Sequence, residues 1–228
     1  MNYGEIIELG KHRLMCGDAT SREDVMRLIG NDNVNLVLTD PPYGIRVQSH
    51  CKGSRISSNG RSYPPLIGDK SSDTARLFYP IASTLTDNLI FWGGNYFTDF
   101  LPVSGGWLVW DKCKHGLSFS DCELAWKSSG TRITLYRQKW NGFIFDGAKN
   151  LNQRIHPTQK PVELHMRILE DFSQSDDVIL DCLGGSGTTL IACEMTGRKC
   201  LMMELSPEYC DVNSERYMKL KDDYPIEY

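Results

Sequence analysis

The chain has 228 residues, 40% of them hydrophobic, and a formal net charge of -4. That size and apolar content suit one domain, 1–228, with a full core, and the acidic total excludes a generic basic coat for nucleic acid, though not a local basic face. Eight cysteines form no Cys-x-x-Cys pair, Glu5 and Glu8 stand where a secretory signal is apolar, and no apolar run approaches membrane-spanning length. A reducing, cytoplasmic protein with packed thiols, no structural zinc and no membrane contact is therefore expected.

In chain order, His12 to Cys16 reads as a short strand ending at Gly17-Asp18. Ser21-Arg22-Glu23-Asp24 resembles a helix start, with serine as the cap and acids in the first turn; Val25, Leu28 and Ile29 supply its apolar face. Val34 to Thr39 is β-branched and leucine-rich and runs into Asp40, as in a parallel strand buried on both sides. The stretch 44–72 is rich in Ser, Gly and Arg without periodicity, and a loop of that length inside a compact domain is usually functional or disordered. Its Arg46, Lys52, Arg55 and Arg61 make it basic, and a second basic stretch includes Lys139; a solvated loop and a ligand-facing loop are both open readings. Thr74 to Leu85 reads as a helix weakened by Pro80, and Leu89–Trp92, Trp107–Trp110, Glu123–Trp126 and Ile133–Tyr136 as strands. Glu163–Phe172 is a helix, Val178–Leu180 a strand, Thr188–Thr196 a helix, Cys200–Met203 a strand ending at Glu204, and Pro207–Leu220 a helix with proline in its first turn.

Strands alternating with helices imply an α/β sheet with right-handed crossovers, which binds ligands beyond the carboxyl ends of its strands. Four acids, Asp18, Asp40, Asp181 and Glu204, sit at such ends, where core packing has no use for carboxylates. Asp181-Cys182-Leu183-Gly184-Gly185-Ser186-Gly187-Thr188-Thr189 is a glycine-rich turn opening a helix, and Glu204 at the next strand end suits a carboxylate accepting from ribose hydroxyls. The third glycine of a dinucleotide fingerprint is absent. Asp181 would repel a pyrophosphate but attract an amino group, which favours S-adenosylmethionine over a dinucleotide.

Asp40-Pro41-Pro42-Tyr43 supplies a carboxylate, a carbonyl held by two fixed-φ residues, and an aromatic face. Two acceptors on an exocyclic amino group would draw its delocalised lone pair towards a nucleophilic geometry, and Tyr43 offers a ring on which an extruded base can stack. A cytosine-C5 mechanism needs a nucleophilic cysteine, and none of the eight follows a proline as that family's nucleophile does.

These two motifs, with His156-Pro157-Thr158-Gln159-Lys160-Pro161 before the cofactor strand, resemble those of the β group of DNA amino-methyltransferases. The resemblance covers nearly the whole chain. It implies a class I S-adenosylmethionine methyltransferase fold in circularly permuted motif order, with a seven-stranded, mostly parallel sheet whose last strand is antiparallel. It assigns Asp40, Pro41, Pro42 and Tyr43 to catalysis. Asp18, Asp40, His156, Thr158, Lys160, Asp181, Gly184, Gly185, Ser186, Gly187, Thr188 and Glu204 fall to the cofactor, with Lys160 at its carboxylate. The expected partner is double-stranded DNA, touched by Arg46, Lys52, Arg55, Arg61 and Lys139. The expected product is N6-methyladenine, because cytosine-N4 members more often have serine in place of Asp40; a cytosine-N4 enzyme and a catalytically silent DNA-binding subunit are the alternatives. Two departures stand out. Cys182-Leu183 replaces the usual Pro-Phe, and Trp140 to Ile155 leaves only 16 residues for target recognition. Base reading needs several side chains in a groove, so either specificity is for a very short site or nearly absent, or a second protomer or another protein completes the DNA surface.

Overall fold

A computed structural model describes residues 1–45, 71–113, 120–139, 155 and 158–224. The strands are β1 (Ile6–Leu9), β2 (His12–Cys16), β3 (Leu36–Thr39), β4 (Leu89–Trp92), β5 (Gly106–Asp111), β6 (Cys122–Lys127), β7 (Ile133–Arg137), β8 (Val178–Asp181) and β9 (Lys199–Glu204). The helices are α1 (Arg22–Ile29), α2 (Asp73–Ala82), α3 (Val162–Phe172), α4 (Thr188–Thr196) and α5 (Pro207–Asp223).

The strands form one sheet in the order β1-β2-β9-β8-β3-β4-β6-β5-β7. β2, β9, β8, β3 and β4 run parallel, and β6 is inserted antiparallel between β4 and β5. Seven strands from β2 to β5 make the expected sheet with its single reversed strand. Two more lengthen it to nine among the described residues: β1 pairs antiparallel on β2 and β7 parallel on β5. β1 (Ile-Ile-Glu-Leu) went unread because its four residues lack alternation; pairing with β2 supplies what local pattern does not. The permutation appears in the register, where Arg13 lies beside Leu201 and joins the two ends of the chain in adjacent parallel strands.

Two apolar layers sandwich the sheet, and the period of two sends successive side chains to opposite layers. In β3, Leu36 and Leu38 join one cluster and Val37 the other, all fully buried. α3, α4 and α5 cover the first face through residues such as Ile168, Leu190 and Tyr217; α1 and α2 cover the second through Val25, Leu28 and Phe78. Each such side chain contributes roughly 1.5–3 kcal/mol of burial. This explains α2, which forms despite Pro80: Phe78, Ile81 and Ala82 are packed, and burial outweighs one lost backbone hydrogen bond. Ser21 and Ser206 cap α1 and α5 by accepting from the Asp24 and Tyr209 amides. No helix among the described residues is long and apolar enough to cross a membrane. Of the described cysteines, 16, 182, 193, 200 and 210 are buried and 113 and 122 exposed, all as free thiols.

Candidate active site

The parallel strands end on one edge of the sheet, and the four acids are gathered there. Asp18 follows β2, Glu204 ends β9, Asp181 ends β8 and Asp40 follows β3, so they stand in a row across four adjacent strands.

Asp181 is buried beneath the glycine turn. Its Oδ1 accepts from Thr39 Oγ1 at 3.1 Å and the Leu183 amide at 3.2 Å, and its Oδ2 from Thr189 Oγ1 at 2.6 Å. Burial pushes this carboxyl up to about 6 against those hydrogen bonds. Glu204 accepts from the Gly185 and Ser206 amides, both at 2.9 Å, and burial likewise raises it to about 6. Asp18 Oδ1 takes both bonds from Thr20, at 2.8 Å each.

The turn glycines serve the fold first. A Cβ on Gly184 would fall 2.6 Å from Met202 Cγ, and one on Gly187, at φ +72, 2.8 Å from Asn213 Oδ1. Their missing side chains let the turn sit down on β9 and α5. Ser186 and Thr188 share a hydrogen bond at 3.0 Å, and Thr188 donates to the Lys160 carbonyl at 3.2 Å, tying the turn to the segment before α3.

Asp40 has a different environment. Its Oδ1 accepts from Tyr43 Oη at 2.7 Å and its Oδ2 from Lys160 Nζ at 2.5 Å. Burial raises its carboxyl, Lys160 opposes this, and nearby Glu123 adds to it. The Tyr43 ring lies nearly parallel to Tyr96, with centroids 5.1 Å apart, and edge-on to Phe97. Gly93 makes room for it: at φ +72, a Cβ there would lie 2.2 Å from Tyr43 Cε1. Sequence reasoning missed Tyr96 and Gly93. The Gly93-Gly94 pair directly after β4 was the available signal, because adjacent glycines at a strand end mark close approach of another group.

Sequence reasoning also missed Glu123 on β6. Lys160 is 4% exposed, and its ammonium reaches Asp40 and Glu123 Oε2, the latter at 3.3 Å. The resemblance puts Lys160 at the cofactor carboxylate; here it bridges two carboxylates of the protein. Thr158 is exposed in a turn and Lys139 exposed just after β7. His156, Arg46, Lys52, Arg55 and Arg61 lie outside the described residues, as does nearly all of the short recognition segment.

Residues 105–215 match the model of the DNA methylase family whose members act on N6 or N4 positions. The chain is 34% identical over 206 residues to the putative methylase YubD of Escherichia coli (strain K12), an alignment covering 84% of this chain and 85% of that protein. The chain belongs to the DNA amino-methyltransferase family. It is also 32% identical over 130 residues to the type II methyltransferase M2.MboI of Moraxella bovis, which covers 55% of this chain but only 45% of that relative. Its backbone superposes on the cytosine-N4-specific PvuII DNA methyltransferase with a TM-score of 0.64 at 16% identity, over 98% of this chain and 95% of that one. The M1.HpyAVI complex with S-adenosylmethionine gives 0.57 at 19% identity, over 89% and 97%. At such identities the structural matches establish the class I methyltransferase fold, and the amino-methyltransferase assignment rests on the sequence matches.

The family's methyl donor carries an amino group, ribose hydroxyls and a sulfonium, and the donor set here fits them. Three carboxylates, Asp18, Asp181 and Glu204, stand at adjacent strand ends, and none has a cation within ion-pair distance among the described residues.

Proposed function

We propose that this chain transfers a methyl group from S-adenosylmethionine to the exocyclic amino group of a base in double-stranded DNA, forming N6-methyladenine. The observation that carries this reading is the pairing of the Asp40 carboxylate with the φ-locked Pro41 at the end of β3, beside the Tyr43 ring. The donor supplies an electrophilic methyl group on a sulfonium. The chain's residues do the rest. Asp18, Asp181 and Glu204 hold the amino and hydroxyl groups of the donor, while the Asp40 carboxylate and Pro41 carbonyl accept from the two amino hydrogens of the target base. As the nitrogen–carbon bond forms and the sulfur–carbon bond breaks, the nitrogen becomes cationic and the sulfide neutral. The surplus proton then leaves through Asp40 to solvent. Because the base must leave the duplex, an aromatic wall is required, and Tyr43, braced by Tyr96, provides it.

Asp40 at the head of the motif favours adenine; the fold shared with a cytosine-N4-specific enzyme favours the second reading, N4-methylcytosine. With so short a segment before Ile155, the protein reads a very short site, or pairs with a second subunit to read a longer one. The test is to incubate the purified protein with S-adenosylmethionine and unmethylated DNA, digest to nucleosides and analyse by mass spectrometry. N6-methyladenine is expected. N4-methylcytosine would replace the base, and the absence of both products would refute the reading.

A further inference from the structure

Four charges of alternating sign run from β5 to β3. Lys112 Nζ lies 2.6 Å from Glu123 Oε1; Glu123 Oε2 lies 3.3 Å from Lys160 Nζ; and Lys160 Nζ lies 2.5 Å from Asp40 Oδ2. The ammonium of Lys160 also reaches Tyr43 Oη at 3.3 Å, so its three hydrogens have three acceptors, and it sits 5.0 Å from the Trp92 ring centroid. Glu123 reaches this point because β6 runs antiparallel beside β4: Ala125 pairs with Trp92, and Glu123 projects two residues past the end of that strand.

We propose that Glu123 is a positioning residue for the transfer step, setting through Lys160 how strongly the Asp40 carboxylate accepts from the target amino group. This rests on the methyltransferase reading above. An ammonium with one carboxylate partner would draw most of that partner's negative charge into a tight ion pair. Glu123 divides the ammonium between two carboxylates and leaves Asp40 more basic. The charged and titratable groups facing Asp40 are Lys160, Glu123, Tyr43 and Asp181; those facing Lys160 add His165, and Glu123 also faces Lys112. Burial opposes the ionised form of Glu123, yet Lys160 and Lys112 together bring it down to about 2, so it stays charged at every working pH. For Asp40, burial and Glu123 push upwards and Lys160 downwards, which fixes the sign of the test.

The test is the pH profile of kcat at saturating cofactor. Glu123→Gln should move the acid limb to lower pH by about one unit and lower the plateau about tenfold, with little change in KM for the cofactor. Glu123→Asp should restore most of the plateau. Lys112→Gln strips Glu123 of its other partner and should move the limb to higher pH; a merely structural ion pair predicts no such opposite shift. The Lys112 variant keeps the test decisive should Glu123→Gln fail to fold. An active wild type whose variants keep its limb and plateau overturns this inference alone. No transfer by the wild type on any DNA overturns the functional reading and the positioning role with it.

Discussion

Asp181→Asn should stabilise the folded protein, and do so more as pH rises. The Asp181 carboxyl is 4% exposed, and burial carries it from 3.8 to about 6. Between those values the folded carboxyl keeps a proton that the unfolded one has lost, so stability falls as pH rises through the window and the loss is complete above about pH 7. A rise from 3.8 to about 6 corresponds to about 3 kcal/mol. Asparagine removes this term and keeps the hydrogen bonds. Its Oδ1 accepts from Thr39 and Leu183, its amide donates to Thr189 Oγ1, and the Thr189 hydroxyl turns to donate to His165 Nδ1, which lies 3.2 Å away. His165 is held neutral, brought down to about 3 chiefly by burial, so its ring nitrogen can accept. The assay is urea denaturation of both proteins at several pH values. Glu204, which the Asp181 charge helps to push up, titrates lower in the variant, and this adds to the growth of the difference with pH. That difference should grow by roughly 1.5 kcal/mol between about pH 5 and 8. The same variant should bind S-adenosylmethionine at least about tenfold more weakly, because an ionised carboxylate is what a cationic amino group recovers. A stability difference that stays flat or shrinks with rising pH would refute the reasoning.

Asp40→Ala should abolish transfer in the nucleoside assay while calorimetry shows cofactor affinity within a few fold of wild type. Tyr43→Phe, which loses the 2.7 Å bond to Asp40, should reduce kcat by roughly tenfold, and Tyr43→Ala by more, because the ring is lost as well; equal losses would assign the whole effect to the hydroxyl. Gly93→Ala forces a methyl into the Tyr43 ring at a left-handed φ, and kcat should fall on the order of a hundredfold with cofactor affinity retained. At the far edge of the sheet, Glu194→Ala takes the acceptor from the buried His12 Nε2–H and one carboxylate from Lys221; denaturation should show a loss of about 1–3 kcal/mol with kcat per folded molecule unchanged.

Local pattern was enough for most elements, because runs such as Leu89–Trp92 and Thr188–Thr196 are punctuated by glycine or by a change of period, and their bounds agree with the structure. Asp40 and Asp181 were legible for the same reason: each stands where an apolar run stops. What sequence could not show is what meets across the sheet. Glu123 reads as one polar residue at a strand end, and nothing near it points to Lys160, 37 positions later. Tyr96 reads as a loop aromatic until β4 places it against Tyr43. Nor does local sequence show that Gly184 and Gly187 pack on Met202 and Asn213. These are long-range contacts, set by strand order and register.

The row of strand-end acids is divided by charge, and the division matches the two substrates of the proposed reaction. Asp18, Asp181 and Glu204 have no cation within ion-pair distance among the described residues, and burial leaves the last two with carboxyls at about 6. Such groups gain most from a ligand that brings its own positive charge. Asp40 already has an ammonium at 2.5 Å. A carboxylate paired in that way gains little from a second cation, yet each of its oxygens retains a lone pair for a neutral N–H donor. A base amino group is such a donor. In the proposed reaction one edge of one sheet would thus sort a cationic methyl donor from a neutral acceptor, by which acid has been given a lysine.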